Sequence, residues 1–314
     1  MHIPDGFLSA GIAAVSWAGA GLSVSGALAA ERRESRPASA GTLGALAAFV
    51  FATQMVNVPV APGTSGHLVG ATLAAVLVGP WRALLVMAVV LAIQALLFQD
   101  GGITAYGANL IDMGLAGTAV GYVVASAVAR AVGGLRGLAA GGVAGAFGAT
   151  LTGATLTALW LGLSGVYPLR LLLPIMLVTH VAIGLLEAAL TGGILVTVLR
   201  WRPDLVAEPG DEPRRHRRVA ASLGLLGIAL VVAAFLAPLA TELPDGLDRT
   251  AQVLGFAHRA RSLWPAPLAG YQLPAFPSAT LASAVAGIAG TIAAAALAWM
   301  ISRSLRATSH DVHR

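Results

Sequence analysis

Nine apolar stretches follow one another with little between them, near residues 7–30, 40–57, 67–79, 81–98, 108–130, 137–163, 170–199, 219–240 and 278–302. A helix needs about 20 apolar residues to cross a bilayer, and most of these stretches qualify. Lipid offers no partner to a backbone amide, so a crossing segment must satisfy its own N–H and C=O groups as a helix. Only 11% of the residues are charged and mean hydropathy is +0.81, whereas a soluble domain carries about 25% charged residues. The expected class is therefore all-α, a polytopic membrane helix bundle. With no cysteine in the chain, disulfides and thiolate metal sites are excluded.

All 19 basic residues are arginine. With the N-terminus outside and nine crossings, fifteen of them fall on the inner side, leaving Arg170, Arg249, Arg259 and Arg261 outside. That bias predicts N-out, C-in. The net charge of +5 then reports topology rather than a nucleic-acid surface, and no nucleic-acid partner is expected. The charged, proline-containing stretch 201–218 reads as a cytoplasmic linker. It divides a seven-helix unit, residues 1–200, from a two-helix module, residues 219–306, with an outer segment at 241–277 and a cytoplasmic tail at 307–314. The third stretch is short and stops at Gly79-Pro80. The loop before it, Val58 to Gly66, is expected to dip into the membrane among protein.

The chain start carries the chemistry. Residues 1–30 hold no Lys or Arg, so they lack the basic n-region of a secretory signal, and the bulky His2 is expected to keep Met1 in place. A free amine, the His2 amide nitrogen and His2 Nδ1 close a five- and a six-membered ring on one metal ion. These three nitrogens lie in a plane, and a fourth from His67 completes a square, the geometry that suits Ni(II) and Cu(II). His67 follows Pro62-Gly63-Thr64-Ser65-Gly66, a bent and tightly packed segment, and is expected to open the third helix on the same outer side. An ordinary second residue and a packed histidine are the competing readings of His2 and His67. Asn57, Ser65, Gln94 and Asn109 are candidates to hold the two rings, with Gln54 and Asp112 in the same class. Each is equally suited to a hydrogen bond between helices. Ile3-Pro4-Asp5-Gly6 reads as a stiff turn that tucks the N-terminus into the bundle.

His180 and Glu187 are seven apart and share a helix face. They define an alternative function, an ion-coupled secondary transporter, although no inverted repeat is visible. A membrane scaffold without substrate is a third reading. The chain has no Walker A, His-Glu-x-x-His or Gly-x-Ser-x-Gly motif, so it is not expected to be an enzyme, and uphill movement would need a gradient or a partner ATPase.

Met1-His2-Ile3-Pro4-Asp5-Gly6-Phe7, Asn57 to Gly66-His67-Leu68, and Gly101-Gly102-Ile103-Thr104-Ala105-Tyr106-Gly107-Ala108-Asn109 together resemble the CbiM/NikM family over roughly residues 1–200. These are substrate-capture subunits of energy-coupling-factor transporters for cobalt and nickel. The resemblance implies a seven-helix fold with the N-terminus inserted from outside. It implies ligation of Co(II) or Ni(II), as cargo rather than resident cofactor, by the Met1 amine, the His2 amide and imidazole, and His67. It also implies a transmembrane coupling protein and cytoplasmic ATPases as partners in a bacterial or archaeal cell membrane. Leu243-Pro244-Asp245-Gly246-Leu247-Asp248 resembles the PDGLE accessory domain, with Asp248 in place of its final Glu.

Overall fold

The computed structural model describes residues 1–34, 39–61, 63–201, 215–273 and 275–311. Most of the expected linker, Arg36 and the last three residues lie outside them. The chain is an all-α bundle with one small hairpin. Its helices are α1 (Ala10–Arg33), α2 (Ala40–Gln54), α3 (Ala71–Val78), α4 (Pro80–Ile93), α5 (Tyr106–Asn109), α6 (Gly117–Val132), α7 (Gly134–Leu163), α8 (Leu169–Trp201), α9 (Arg215–Val231), α10 (Gly246–Leu254) and α11 (Ala279–Asp311). Among the described residues, seven continuous helical runs are long and apolar enough to cross a membrane: 10–33, 80–98, 106–132, 134–163, 169–200, 219–239 and 279–305. The expected spans at 40–57 and 67–79 are shorter than a crossing. α2 has 15 residues and α3 has 8, and both are enclosed by the longer helices. The described part of the expected tail continues α11 to Asp311.

Two departures from the sequence reading shape the site. Val58–Gly66 is not a plain loop: Val58–Ala61 (β1) and Thr64–Gly66 (β2) pair antiparallel. A hairpin pairs main-chain groups with each other, and Gly63, at φ +75°, supplies the turn conformation that other residues resist. His67 does not open α3, which begins four residues later. Gly70 stands between them at φ +77°, a left-handed conformation that interrupts a right-handed helix.

α4 runs on through a π-helical turn, Gln94–Phe98, and α5 joins α6 through another, Leu110–Ala116. Such turns shift the side-chain phase within a helix and recur at functional sites. Here they lie beside Gln94 and Asn109. α6, α7 and α8 pack in sequence, and α2 is flanked by α9 and α11. The C-terminal helices are thus part of the bundle. Gly107 lets α5 lie on α1, since a Cβ there would stand 2.5 Å from the Ser16 carbonyl carbon.

Candidate metal centre

The first seven residues turn back into the bundle. Pro4 stiffens the arm and Gly6, at φ +89°, bends it. The Asp5 carboxylate accepts from the Thr104 N–H at 2.7 Å, the Thr104 hydroxyl at 2.5 Å and the Ile103 N–H at 3.2 Å. The Gly102 N–H donates to the Ile3 carbonyl at 2.8 Å. Asn109 grips the same residue in both directions: Oδ1 accepts from the Ile3 N–H at 2.8 Å, and Nδ2 donates to its carbonyl at 3.1 Å. A Cβ on Gly102 would run into the main chain of Asp5, so this approach requires glycine. Met1 and Ile3 end up buried.

His2 and His67 then stand side by side, ring centroids 5.8 Å apart and planes 25° from parallel. A metal–imidazole bond of about 2 Å puts the ion roughly 3 Å from the ring centre, so two rings sharing an ion lie within about 6 Å. That limit is reached by rings on opposite sides of an ion; rings at neighbouring corners of a square lie about 4.5 Å apart, so the 5.8 Å spacing has to close by about 1 Å for both rings to share one. His67 Nδ1 is 3.2 Å from the Leu68 carbonyl oxygen, which can only accept, so the proton sits on Nδ1 and Nε2 keeps its lone pair. Burial, then the N-terminal ammonium and His2, lower this ring to about 4, against Asp100 and the Leu68 carbonyl. It is therefore neutral at pH 7, as a ligand must be.

A relay fixes the other ring. The Val69 carbonyl accepts from Gln54 Nε2 at 2.7 Å, so Gln54 Oε1 faces Gln94 Nε2 at 2.7 Å, and Gln94 Oε1 faces His2 Nε2 at 3.2 Å. Starting from a carbonyl, which cannot donate, the chain assigns a proton to His2 Nε2. His2 Nδ1 is 3.2 Å from Asp100 Oδ1. A ring nitrogen beside a carboxylate oxygen requires a proton or another cation between them.

The C-terminal module forms the remaining wall. The Met1 ammonium donates to Asp245 Oδ2 at 2.6 Å. Asp245 caps α10, its Oδ1 accepting from the Leu247 and Asp248 N–H groups at 2.8 and 2.9 Å. Burial pushes the Asp245 carboxyl up, but the adjoining ammonium more than reverses this and holds it well below the usual carboxylate range. The turn before it is pinned to β2: the Ser65 N–H donates to the Pro244 carbonyl at 2.9 Å and the Ser65 hydroxyl to the Leu243 carbonyl at 2.7 Å. Farther along, the Tyr271 hydroxyl donates to Asp100 Oδ2 at 2.5 Å while its ring stacks on Phe98. Burial and Asp100 keep this phenol well above the usual tyrosine range. A cavity of about 500 Å³ lies between module and bundle, bordered by His2, His67, Asp100, Asp245 and Tyr271.

The structure thus brings Met1, His2 and His67 together, with Gln94 on His2 and Asn109 on Ile3. Ser65 holds the module's turn rather than a ring. Asn57 borders the cavity, its side-chain oxygen without a protein partner and its carbonyl accepting from the Thr241 N–H at 3.0 Å. Asp112 lies deeper, accepting from Thr157 at 2.8 Å and Trp160 at 2.7 Å. His180 bonds the Met176 carbonyl at 2.7 Å beneath Gly246, where a Cβ would meet its ring at 2.6 Å. Glu187 accepts from the Val69 and Gly70 N–H groups. Sequence reasoning missed Asp100, Asp245 and Tyr271 as neighbours of the chain start. Asp100 adjoins the Gly101-Gly102 motif, but no local signal ties residues 245 or 271 to residue 1. Among the described residues no group of three or more His, Cys, Asp or Glu side chains could hold a metal.

Residues 2–205 match the family described as cobalt uptake substrate-specific transmembrane region, CbiM, and residues 220–307 match the PDGLE domain. A putative fused nickel transport protein NikMN from Archaeoglobus fulgidus is 35% identical, covering 98% of this chain and 99% of its own length. A fused nickel transport protein NikMN from Rhodobacter capsulatus is 32% identical, over 93% and 95%. A crystal structure of a truncated transition metal transporter superposes with a TM-score of 0.57 at 32% identity, covering 64% of this chain and 99% of that one. The chain belongs to the CbiM family of substrate-specific transmembrane proteins, with a PDGLE domain at its C-terminal end.

Proposed function

We propose that this protein is the substrate-binding membrane subunit of an energy-coupling-factor ABC importer for cobalt or nickel. The observation that carries the reading is the N-terminal arm folded into the bundle, which sets the His2 ring beside that of His67 and buries the Met1 amine against Asp245. The ion is held by the Met1 amine, the His2 amide nitrogen, His2 Nδ1 and His67 Nε2. Asn109 and Asp5 fix the arm, Gln94 keeps the proton on His2 Nε2 and frees Nδ1, and Leu68 does the converse for His67. Binding requires Nδ1 to exchange its neighbour Asp100 for the ion, so the cation replaces whatever charge stood there. Four planar nitrogens favour Ni(II), and the full-length relatives are named for nickel transport. A cobalt transport protein CbiM from Geobacter sulfurreducens is 35% identical over 80% of this chain, so cobalt belongs to the same reading.

In this arrangement the site faces the cell exterior, with N-terminus outside and C-terminus inside as the arginines predict. A transmembrane coupling protein and cytoplasmic ATPases supply the energy. Metal analysis of protein purified after growth with nickel or cobalt tests the reading. Wild type should retain roughly one ion per chain and His2→Ala or His67→Ala almost none. Equal metal content in all three would contradict it.

A further inference from the structure

Glu187 sits in the middle of α8, 2% exposed, with no part in the ligand set proposed above. Its two oxygens have separate partners: Oε2 accepts from the Val69 N–H at 2.6 Å and Oε1 from the Gly70 N–H at 3.1 Å. Those amides lie just before α3, whose capping position is Gly70 and so has no side chain to accept from them. The Glu187 carboxylate fills that role from another helix, satisfying donors that lipid could not.

The location of the clamp gives it reach. Val69 is two residues beyond His67, so fixing its amide fixes the segment that presents the His67 ring. The carbonyl of the same Val69 begins the Gln54–Gln94 relay that ends on His2 Nε2. One residue, held at its N–H by Glu187 and at its C=O by Gln54, thus stands between the carboxylate and both imidazoles. We infer that Glu187 is a positioning residue for the metal site, setting the spacing and orientation of His67 and His2 through Val69. The inference rests on the metal reading above and adds to it. The carboxylate buried in the bundle acts by geometry, touching neither the ion nor its ligands.

The chemistry makes the test sharp. Both partners of Glu187 are donors, so the isosteric Glu187→Gln turns one acceptor into an NH2 group facing an N–H. Full-length protein in detergent is titrated with Ni(II) against a competing chelator, and its visible ligand-field spectrum is recorded. Glu187→Gln should weaken affinity roughly 10- to 100-fold, as loss of a group supporting a ligand does, and shift or broaden the Ni(II) band. Gly44→Ala controls for general destabilisation. Its Cβ would stand 2.8 Å from the Ala295 carbonyl oxygen, in the α2–α11 contact away from the site, and it should leave the band unchanged. Glu187→Asp, which keeps both acceptor oxygens on a stem one methylene shorter, should fall between wild type and Glu187→Gln. A Glu187→Gln affinity and spectrum equal to wild type would overturn the inference. So would changes no larger than those of Gly44→Ala. Should Glu187→Gln fail to fold, a Glu187→Asp protein identical to wild type in both readouts overturns it. Wild type that binds no Ni(II) would instead remove the metal reading and leave the clamp as architecture.

Discussion

At the scale of single residues, the site is a set of charges and protons placed by their neighbours. His67 is lowered to about 4 from an ordinary 6.5. Between these values the unfolded chain binds a proton that the folded ring refuses. The contribution to stability is therefore full above about pH 6.5 and falls as pH drops towards 4. Thermal melts of metal-free protein should show this loss between pH 7 and 5, and His67→Gln should flatten it. An unchanged pH slope in the variant would show that the ring is not held neutral. Asp245 gives a second expectation. Asn caps a helix about as well as Asp, so Asp245→Asn preserves α10 while removing the charge opposite the Met1 ammonium. Metal-free protein should lose about 2 kcal/mol, the worth of a charge-assisted hydrogen bond. Metal-loaded protein should lose less, because an amine that ligates the ion gives up its extra proton. Equal losses in the two states, read from melts with and without Ni(II), would contradict the pairing.

At the scale of elements, close approach decides what the sequence can become. Gly102 lets the 101–104 loop lie on the N-terminal arm, and a Cβ would collide with Asp5. Gly102→Ala should lower stability by about 1–3 kcal/mol, as overpacking does, and release the arm, so that Ni(II) retention falls with the melting temperature. Retention unchanged would mean the arm needs no such contact. The long crossings are legible because membrane helices announce themselves as apolar runs, but the same signal over-reads 40–57 and 67–79, whose helices are too short to cross. The hairpin at 58–66 was not, since strands of four and three residues carry too little periodicity to read. The start of α3 was misplaced for a related reason. Gly70 breaks the helix by its left-handed backbone, and a glycine among Leu, Val and Ala looks like ordinary helix packing in a membrane chain. The π-helical turns beside Gln94 and Asn109 likewise leave no mark in hydropathy, yet they lie where those two side chains reach the arm.

At the scale of the whole molecule, the centre joins parts far apart in the chain. Met1, His2 and His67 could be singled out by their ligand chemistry. Asp100, Asp245 and Tyr271 could not, because only folding brings the PDGLE turn onto β2 and Tyr271 onto Asp100. Fused to the bundle, the module becomes one wall of the cavity rather than an appendage, which accounts for a carboxylate 244 residues away lying on the terminal amine. Ligation of a metal ion by this amine has a direct test. Add one residue before Met1 and measure bound nickel in the purified, folded protein. The extension converts the amine into an amide and moves the chain end out of the arm's pocket, so near-complete loss of metal is expected with the bundle still folded. Metal content equal to that of the unextended protein would contradict it.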